Sequence, residues 1–243
     1  MLKNKNDSLI VSYLTLRRLI GILGMLLPFA CLIGGSLFRN RPVLDSISAY
    51  YYSNMRDVLT GLLVGISLFL ITYKGYELRD RLTAVISGIA GLGIAIFPCE
   101  SRIKPSSAVG LFQLTHPLEG YLHYGSSALF FILLGIISYF FFTLGDKENW
   151  TKSKGTRNVI YRVCGIVIFV SILILAILNI TLGDKLLATA WELGFETIML
   201  LAFGTSWIVK GESLFADKPN EERFNLALTQ KSDYLNDDHE YLR

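Results

Sequence analysis

Two pairs of ionisable residues recur at helical spacing within apolar stretches of this chain. His116 and His123 are seven residues apart, and Glu192 and Glu196 are four apart. Because an α-helix turns by about 100° per residue, each pair lies on one face of its helix. Two carboxylates at that spacing repel each other unless a cation, a proton or a basic partner intervenes. The pattern predicts a polar site, and all four residues are candidate ligands for a metal such as zinc.

A second group of polar residues lies in the stretch SISAYYYSNMRD, residues 46–57. Serine and tyrosine hydroxyls are suitable donors for a phosphate or a sugar, and an arginine guanidinium pairs with phosphate. An acid at the start of a helix is also a suitable cap. The candidate ligand-binding residues are Ser46, Ser48, Tyr50, Tyr51, Arg56 and Asp57, together with His123 and Glu196.

The elements that must position these residues are apolar helices. The chain is 52% hydrophobic and only 18% charged, whereas about 25% charge is usual for a soluble domain. Long apolar runs cross a bilayer core of about 30 Å, and in hydrocarbon a helix satisfies its own backbone groups. We predict an all-α polytopic membrane protein, a bundle of six transmembrane helices. The spans are residues 19–38, 58–73, 82–97, 118–144, 159–180 and 186–209.

The distribution of basic residues orients these spans. Seventeen of the 23 Lys and Arg fall on the side of the membrane that holds both termini. The positive-inside rule therefore makes the termini cytoplasmic, in the plasma membrane or, for a bacterium, the inner membrane. We predict a cytoplasmic segment (1–18), a transmembrane domain (19–211) and a charged cytoplasmic tail (212–243). The net charge of +3 reflects this topology and not nucleic-acid binding.

This topology brings the candidate residues to one depth on the extracytoplasmic side. Asp57 opens the second span, while His123 and Glu196 lie in the outer halves of the fourth and sixth. Charged groups at membrane depth usually face the bundle interior. We therefore expect these three side chains to approach within hydrogen-bond or one-water distance, with residues 46–57 folded over them as a lid. No comparable polar group is expected in the inner halves of the helices.

Several short motifs carry a resemblance to a known family. SISAYYYSNMRD before the second span, LHYGSSALFF in the fourth and FETIMLLAFGTSWIVKG in the sixth resemble an uncharacterised family of bacterial six-helix integral membrane proteins. A more distant similarity is to the DRAM/Frag-like six-helix proteins. The resemblance implies six helices and supplies no reaction.

Two classes of function fit these residues. In the first, the extracytoplasmic site binds a lipid headgroup, a small molecule or an ion, and membrane lipids are the partners. In the second, the site is a membrane-embedded hydrolase acting on a lipid-like substrate. A bound metal would activate water there, or His123 would act as base for Ser46 or Ser48 as nucleophile.

Overall fold

The computed structural model describes residues 5–39, 43–75, 77–99, 118–144, 152–182, 190–212 and 214. These residues form six α-helices and no strand, which confirms the all-helical prediction. A short 3₁₀ helix (Ser48–Tyr52) precedes the second helix, and one π-helical turn (Ile137–Phe141) continues the fourth. The helices are α1 (Lys5–Arg39), α2 (Arg56–Thr72), α3 (Leu78–Ile96), α4 (Leu118–Ile136), α5 (Lys152–Leu182) and α6 (Trp191–Lys210).

Within the residues that the structure describes, four segments are long and apolar enough to cross a membrane: Tyr13–Leu37, Leu118–Phe141, Lys152–Leu182 and Trp191–Lys210. The second and third predicted spans are the helices α2 and α3. They are the weaker candidates because α2 has 17 residues, about 26 Å at 1.5 Å per residue, and α3 begins Leu-Arg-Asp-Arg. The first helix begins at Lys5, so the predicted N-terminal segment is already helical within the described residues. Most of the predicted tail, residues 215–243, lies outside them.

The helices expose large apolar side chains around the bundle. Ile33 on α1 is 56% exposed, Ile89 on α3 is 58% exposed and Ile180 on α5 is 85% exposed. A continuous apolar exterior is unfavourable in water and natural in hydrocarbon. The outer surface therefore supports membrane integration independently of helix length.

Glycines set how closely the helices approach. A Cβ atom added at Gly21 of α1 would lie 2.7 Å from the carbonyl oxygen of Gly204 on α6, and one added at Gly204 would lie 2.7 Å from the carbonyl oxygen of Gly21. Only the absence of both side chains lets the two backbones meet at this distance, as in other small-residue contacts between membrane helices. The α1–α6 contact therefore brings residues 45–47, which follow α1, against the first turns of α6.

A buried polar cluster lies where α3 and α5 begin and α6 ends, against Arg17 of α1; we call this the basic end. Arg17, Asp80, Arg157 and Lys210 are each at most 6% exposed there, and Lys210 is close enough to the other three to interact electrostatically. The sequence predicted no such group in these halves of the helices, and the buried cluster corrects that prediction. From their positions in the sequence, Arg17, Arg157 and Lys210 are predicted to be loop residues at the ends of the spans.

The cations of this cluster bond to the ends of helices. Lys210 Nζ and Lys154 Nζ both donate to the carbonyl oxygen of Phe142, at 3.2 and 3.3 Å, and Arg17 Nη1 donates to the carbonyl oxygen of Lys210 at 3.4 Å. The last carbonyls of a helix lack partners within it and carry partial negative charge. The Arg17 guanidinium also stacks 4.2 Å from the ring centre of Tyr13. The cluster thereby joins the ends of α4 and α6 to the start of α5 and to α1.

Candidate functional site

A cavity of about 530 Å³ lies at the opposite end of the bundle, where α4 and α6 begin and α5 ends. We call this the cavity end. Its walls come from the three helices, and residues 45–52, which we call the lid, close one side. A smaller cavity of about 40 Å³ adjoins it and shares Ser48, His123 and Glu196 as lining residues. The larger volume falls within the range of small-molecule sites.

His123 lines both cavities from α4. It is 3% exposed, and its Nδ1 lies 2.7 Å from the carbonyl oxygen of Phe97, just beyond the end of α3. A carbonyl can only accept, so Nδ1 carries the hydrogen and the lone pair of a neutral ring is on Nε2. The neighbouring backbone therefore fixes both the tautomer and the orientation of the ring.

Glu196 attaches the lid to α6. Its Oε2 accepts the backbone N–H of Ile47 at 2.5 Å, and its Oε1 accepts the hydroxyl of Ser48 at 3.4 Å. Ile47 precedes the 3₁₀ helix, whose first N–H groups have no partner within the helix and favour an anion. In return, the N–H of Leu193 in the first turn of α6 donates to the carbonyl oxygen of Asp45 at 2.8 Å. Each segment thus supplies the acceptor for a backbone N–H group at the start of the other segment's helix.

The lid is also tied to α1 and to the end of α3. The Tyr52 hydroxyl donates to the carbonyl oxygen of Cys99 at 2.5 Å. Tyr50 is 2% exposed and packs against Gly35, where an added Cβ would lie 2.6 Å from its ring. Burial raises the pKa of the Tyr50 and Tyr52 phenols above the ordinary value for tyrosine, so both remain hydrogen-bond donors. Residues 45–52 are therefore an ordered cover over the cavity.

The structure brings five of the predicted site residues to the larger cavity. They come from the lid, from α4 and from α6, which are far apart in sequence. They are Ser46, Ser48, His123, Glu192 and Glu196.

The other predicted residues lie elsewhere. Tyr51 lines only the smaller cavity, and Arg56 stacks on it with its guanidinium carbon 4.8 Å from the ring centre. Tyr50 faces α1. Asp57 is exposed at the start of α2 and lines neither cavity, which corrects the expectation that it meets His123 and Glu196. His116 lies outside the described residues.

Other residues of the cavity wall were not predicted from sequence. Tyr52, Asp45, Ser127 and Asn179 all line the larger cavity. Asn179 could have been predicted from the sequence, because a polar side chain within an apolar helix is a marker of an interior or functional face. Tyr52 could not, since it follows two other tyrosines and nothing in the sequence distinguishes it from them.

The described residues include no group of three or more His, Cys, Asp or Glu side chains placed to hold a metal ion. His123 and Glu196 both line the cavity, but His123 uses one ring nitrogen on a backbone carbonyl and Glu196 uses both oxygens on the lid. The part of the chain that the structure describes therefore gives the zinc hypothesis no ligand set.

No protein-family model, curated protein or solved structure matches this chain. Its fold and site alone define its class. The part of the chain that the structure describes is all-helical, with several helices long and apolar enough to span a membrane and a cavity with polar and apolar walls at one end of the bundle.

Proposed function

We propose that all six helices cross the membrane, with both termini cytoplasmic and the cavity end outside. The excess of Lys and Arg at the basic end supports this orientation. The outward apolar side chains Leu68 of α2 and Ile86 of α3 support spanning by these two helices as well. A helix as short as α2 is accommodated by local thinning of the bilayer at modest cost. The same helix count is implied by the resemblance to the uncharacterised six-helix family.

Cysteine labelling tests this topology. Asn54, Glu77 and Lys152 are exposed; the first two precede α2 and α3, and Lys152 is the first residue of α5. In a background without the three native cysteines, Asn54→Cys should react with an impermeant maleimide on intact cells. Glu77→Cys and Lys152→Cys should react only after permeabilisation. If Glu77→Cys reacted on the same side as Asn54→Cys, α2 would not cross the membrane.

The cavity supports a binding function for an amphiphilic small molecule or a lipid headgroup. The observation that carries this proposal is the division of one cavity wall into two parts. Hydroxyl, imidazole and carboxylate groups line it beneath the lid, whereas Phe131, Ile172, Leu175 and Met199 line the part towards the middle of the bundle. A ligand with a polar end and an apolar body satisfies both parts, as is general for small-molecule sites.

Retention of a ligand through purification tests the binding function. Ala176 lines the cavity, and its neighbour Ile177 does not. Native mass spectrometry of the wild-type protein after detergent exchange should show a bound hydrophobic molecule of defined mass. Ala176→Phe should lose at least about tenfold of it, because the added ring fills the site, while Ile177→Phe retains it. Equal occupancy in the two variants would refute ligand binding in this cavity.

The hydrolase alternative rests on one specific contact. The Ser48 hydroxyl donates to Glu196, and both residues line the same cavity as His123, whose Nε2 carries the free lone pair of the neutral ring. This arrangement gives a hydroxyl nucleophile a hydrogen-bonded carboxylate that is able to accept its proton, in a cavity that an imidazole also lines. A fluorophosphonate probe should then label Ser48 and leave Ser48→Ala unlabelled. No labelling of the wild-type protein would exclude Ser48 as an activated nucleophile.

A further inference from the structure

The larger cavity opens to the exterior of the bundle between α4 and α5. Four of its described lining residues are exposed: Tyr124 and Ala128 belong to α4, and Ala176 and Asn179 belong to α5. The described lining residues of the lid and of α6 are all buried or half-buried. In the orientation proposed above, the opening therefore faces the outer leaflet of the membrane.

The contacts between the two helices explain where this opening lies. Nearer the basic end, a Cβ added at Gly165 of α5 would lie 3.1 Å from the carbonyl oxygen of Gly135 on α4, so the two backbones are in close contact there. Towards the cavity end, Phe131 of α4 and Ile172 of α5 both line the cavity, which separates the two helices. The pair therefore forms a wedge that is closed towards the basic end and open towards the cavity end.

Both helices change from polar to apolar along the wall of the wedge. From the cavity end inwards, α4 contributes His123, Ser127 and Phe131, which are four residues apart and so lie along one side of the helix. On α5, Asn179 is nearest the cavity end and Leu175 lies one turn deeper. A molecule in the wedge therefore meets polar side chains at its outer end and apolar side chains at its inner end.

The polar side chains of this wall have hydrogen-bonding capacity left for a ligand. Because Nδ1 of His123 bonds to the carbonyl oxygen of Phe97, Nε2 is its remaining acceptor. Asn179 donates its Nδ2 to the carbonyl oxygen of Leu175 at 2.9 Å, which leaves Oδ1 as an acceptor. The Ser127 hydroxyl oxygen is buried, and none of the described residues bonds to it. A buried hydroxyl without a partner is unfavourable, so a polar ligand atom beside it is stabilising.

An uncharged hydroxyl headgroup suits these three side chains. Nε2 of His123 and Oδ1 of Asn179 only accept, so the ligand must donate a hydrogen, which a carboxylate or a phosphodiester cannot do. A charged headgroup that used the opening would also pass Ala128 and Ala176 at membrane depth, where charge is costly. An alcohol avoids both costs, because it is neutral and both donates and accepts.

We propose that the ligand of this cavity is an uncharged membrane amphiphile with a hydroxyl headgroup, whose chain passes between α4 and α5 into the outer leaflet. This rests on the binding function and the orientation proposed above. The ligand hydroxyl donates to Nε2 of His123 and accepts from the hydroxyl of Ser127. The chain lies along Phe131 and Leu175 and reaches the hydrocarbon through the open side of the wedge.

Four probes with the same chain test the headgroup: tetradecanol, its methyl ether, tetradecylamine and tetradecanoic acid. Binding to the full-length protein in neutral detergent is measured by native mass spectrometry and by thermal shift. Tetradecanol should bind at least about tenfold more tightly than each of the other three, because the ether lacks the hydrogen and the other two are charged. Binding of any of these three as tightly as tetradecanol would overturn the hydroxyl headgroup and leave a binding cavity.

Two adjacent serines provide matched variants for the same measurement. Ser127 lines both cavities, whereas Ser126 lines neither and packs against Gly93 of α3. Ser127→Ala should weaken tetradecanol binding about threefold to tenfold, as expected for one lost hydrogen bond, and Ser126→Ala should change it by less than about twofold. Equal affinities of the two variants would mean that the ligand hydroxyl does not bond to Ser127.

A photoreactive form of tetradecanol, with a diazirine near the end of the chain, tests the path of the chain. Adducts mapped by mass spectrometry should fall on residues 128–132 of α4 and 172–176 of α5, and excess tetradecanol should suppress them. Adducts confined to α1–α3 would overturn the passage between α4 and α5. If none of the probes bound the wild-type protein, this inference would fail, whereas the binding function is decided separately by the ligand that Ala176→Phe loses and Ile177→Phe retains.

Discussion

Replacing Asp80 by asparagine is expected to destabilise this protein by about 3–5 kcal/mol, as does removal of one partner from a buried ionic group. Asp80 has no exposed surface. It is the one carboxylate among the described buried residues of the basic end, where Arg17, Arg157 and Lys210 are buried with it. Asparagine keeps the shape of the side chain and removes its charge, so the three cations lose the negative group that offsets their mutual repulsion.

The control is a second aspartate in the first turn of a helix. Asp57 opens α2 as Asp80 opens α3, but it is exposed. Asp57→Asn and Asp80→Asn both lose the favourable interaction with a helix N-terminus, about 0.3–1 kcal/mol at an exposed site. Their difference therefore isolates the buried charge.

Thermal unfolding in detergent, followed with a thiol-reactive dye, measures this difference, because all three cysteines are buried. A loss of 3–5 kcal/mol corresponds to a fall in Tm of about 6–20 °C for a chain of this size. The Asp57 variant should remain within about 3 °C of the wild-type protein. Similar Tm values for the two variants would mean that the cluster does not need its carboxylate.

The second large effect is expected at the attachment of the lid. Glu196→Ala removes the acceptor of the Ile47 N–H and of the Ser48 hydroxyl. Ile47 is only 4% exposed. A buried donor that is left without its acceptor costs about 1–3 kcal/mol. Loss of the Glu196 carboxyl group should therefore raise the open population of the lid about fivefold to a hundredfold, since each 1.4 kcal/mol is a factor of ten.

Cys99 reports this opening. It is 7% exposed, lines the larger cavity and accepts the Tyr52 hydroxyl on its backbone oxygen. With Cys31 and Cys164 replaced by alanine, the rate at which an impermeant thiol reagent labels Cys99 should rise by the same factor in Glu196→Ala. The increase should be smaller in Glu196→Gln, which keeps an acceptor oxygen.

Ser48→Ala serves as the matched control for the lid. It removes only the 3.4 Å contact to Glu196 and leaves the shorter bond to Ile47 in place, so labelling should change by less than about threefold. If Glu196→Ala labelled no faster than Ser48→Ala, the lid would be held by Tyr50 and Tyr52 and not by Glu196.

Sequence alone was sufficient for the elements and for part of the site. Long apolar runs specify helices because their side chains belong in hydrocarbon and their backbone must bond to itself there. Helical spacing then gave the heights of His123 and Glu196 along the bundle, and the two do line one cavity. Their convergence was predictable because interior positions of membrane helices are where such residues are tolerated.

The tertiary structure decided where each tyrosine of the lid points. Tyr50, Tyr51 and Tyr52 are consecutive in a 3₁₀ helix, which has three residues per turn, so successive side chains point about 120° apart. One therefore packs against α1, the next lines the smaller cavity and the third lines the larger one. Sequence shows three equivalent aromatic hydroxyls, and only the backbone conformation distinguishes them.

At the basic end, too, the sequence alone does not show which residues come together, and here they are much farther apart in the chain. Arg17 and the Lys210 carbonyl oxygen that it contacts are 193 residues apart. By residue type and by position in the sequence, Arg17 and Lys210 resemble ordinary basic residues at the ends of the predicted spans. Their burial follows from the glycine contact that sets α1 directly against α6, and from the carbonyls that α4 and α6 leave without partners at their ends. Periodicity within one helix gives the face of a side chain, whereas the order of helices around the bundle decides which neighbour that face meets.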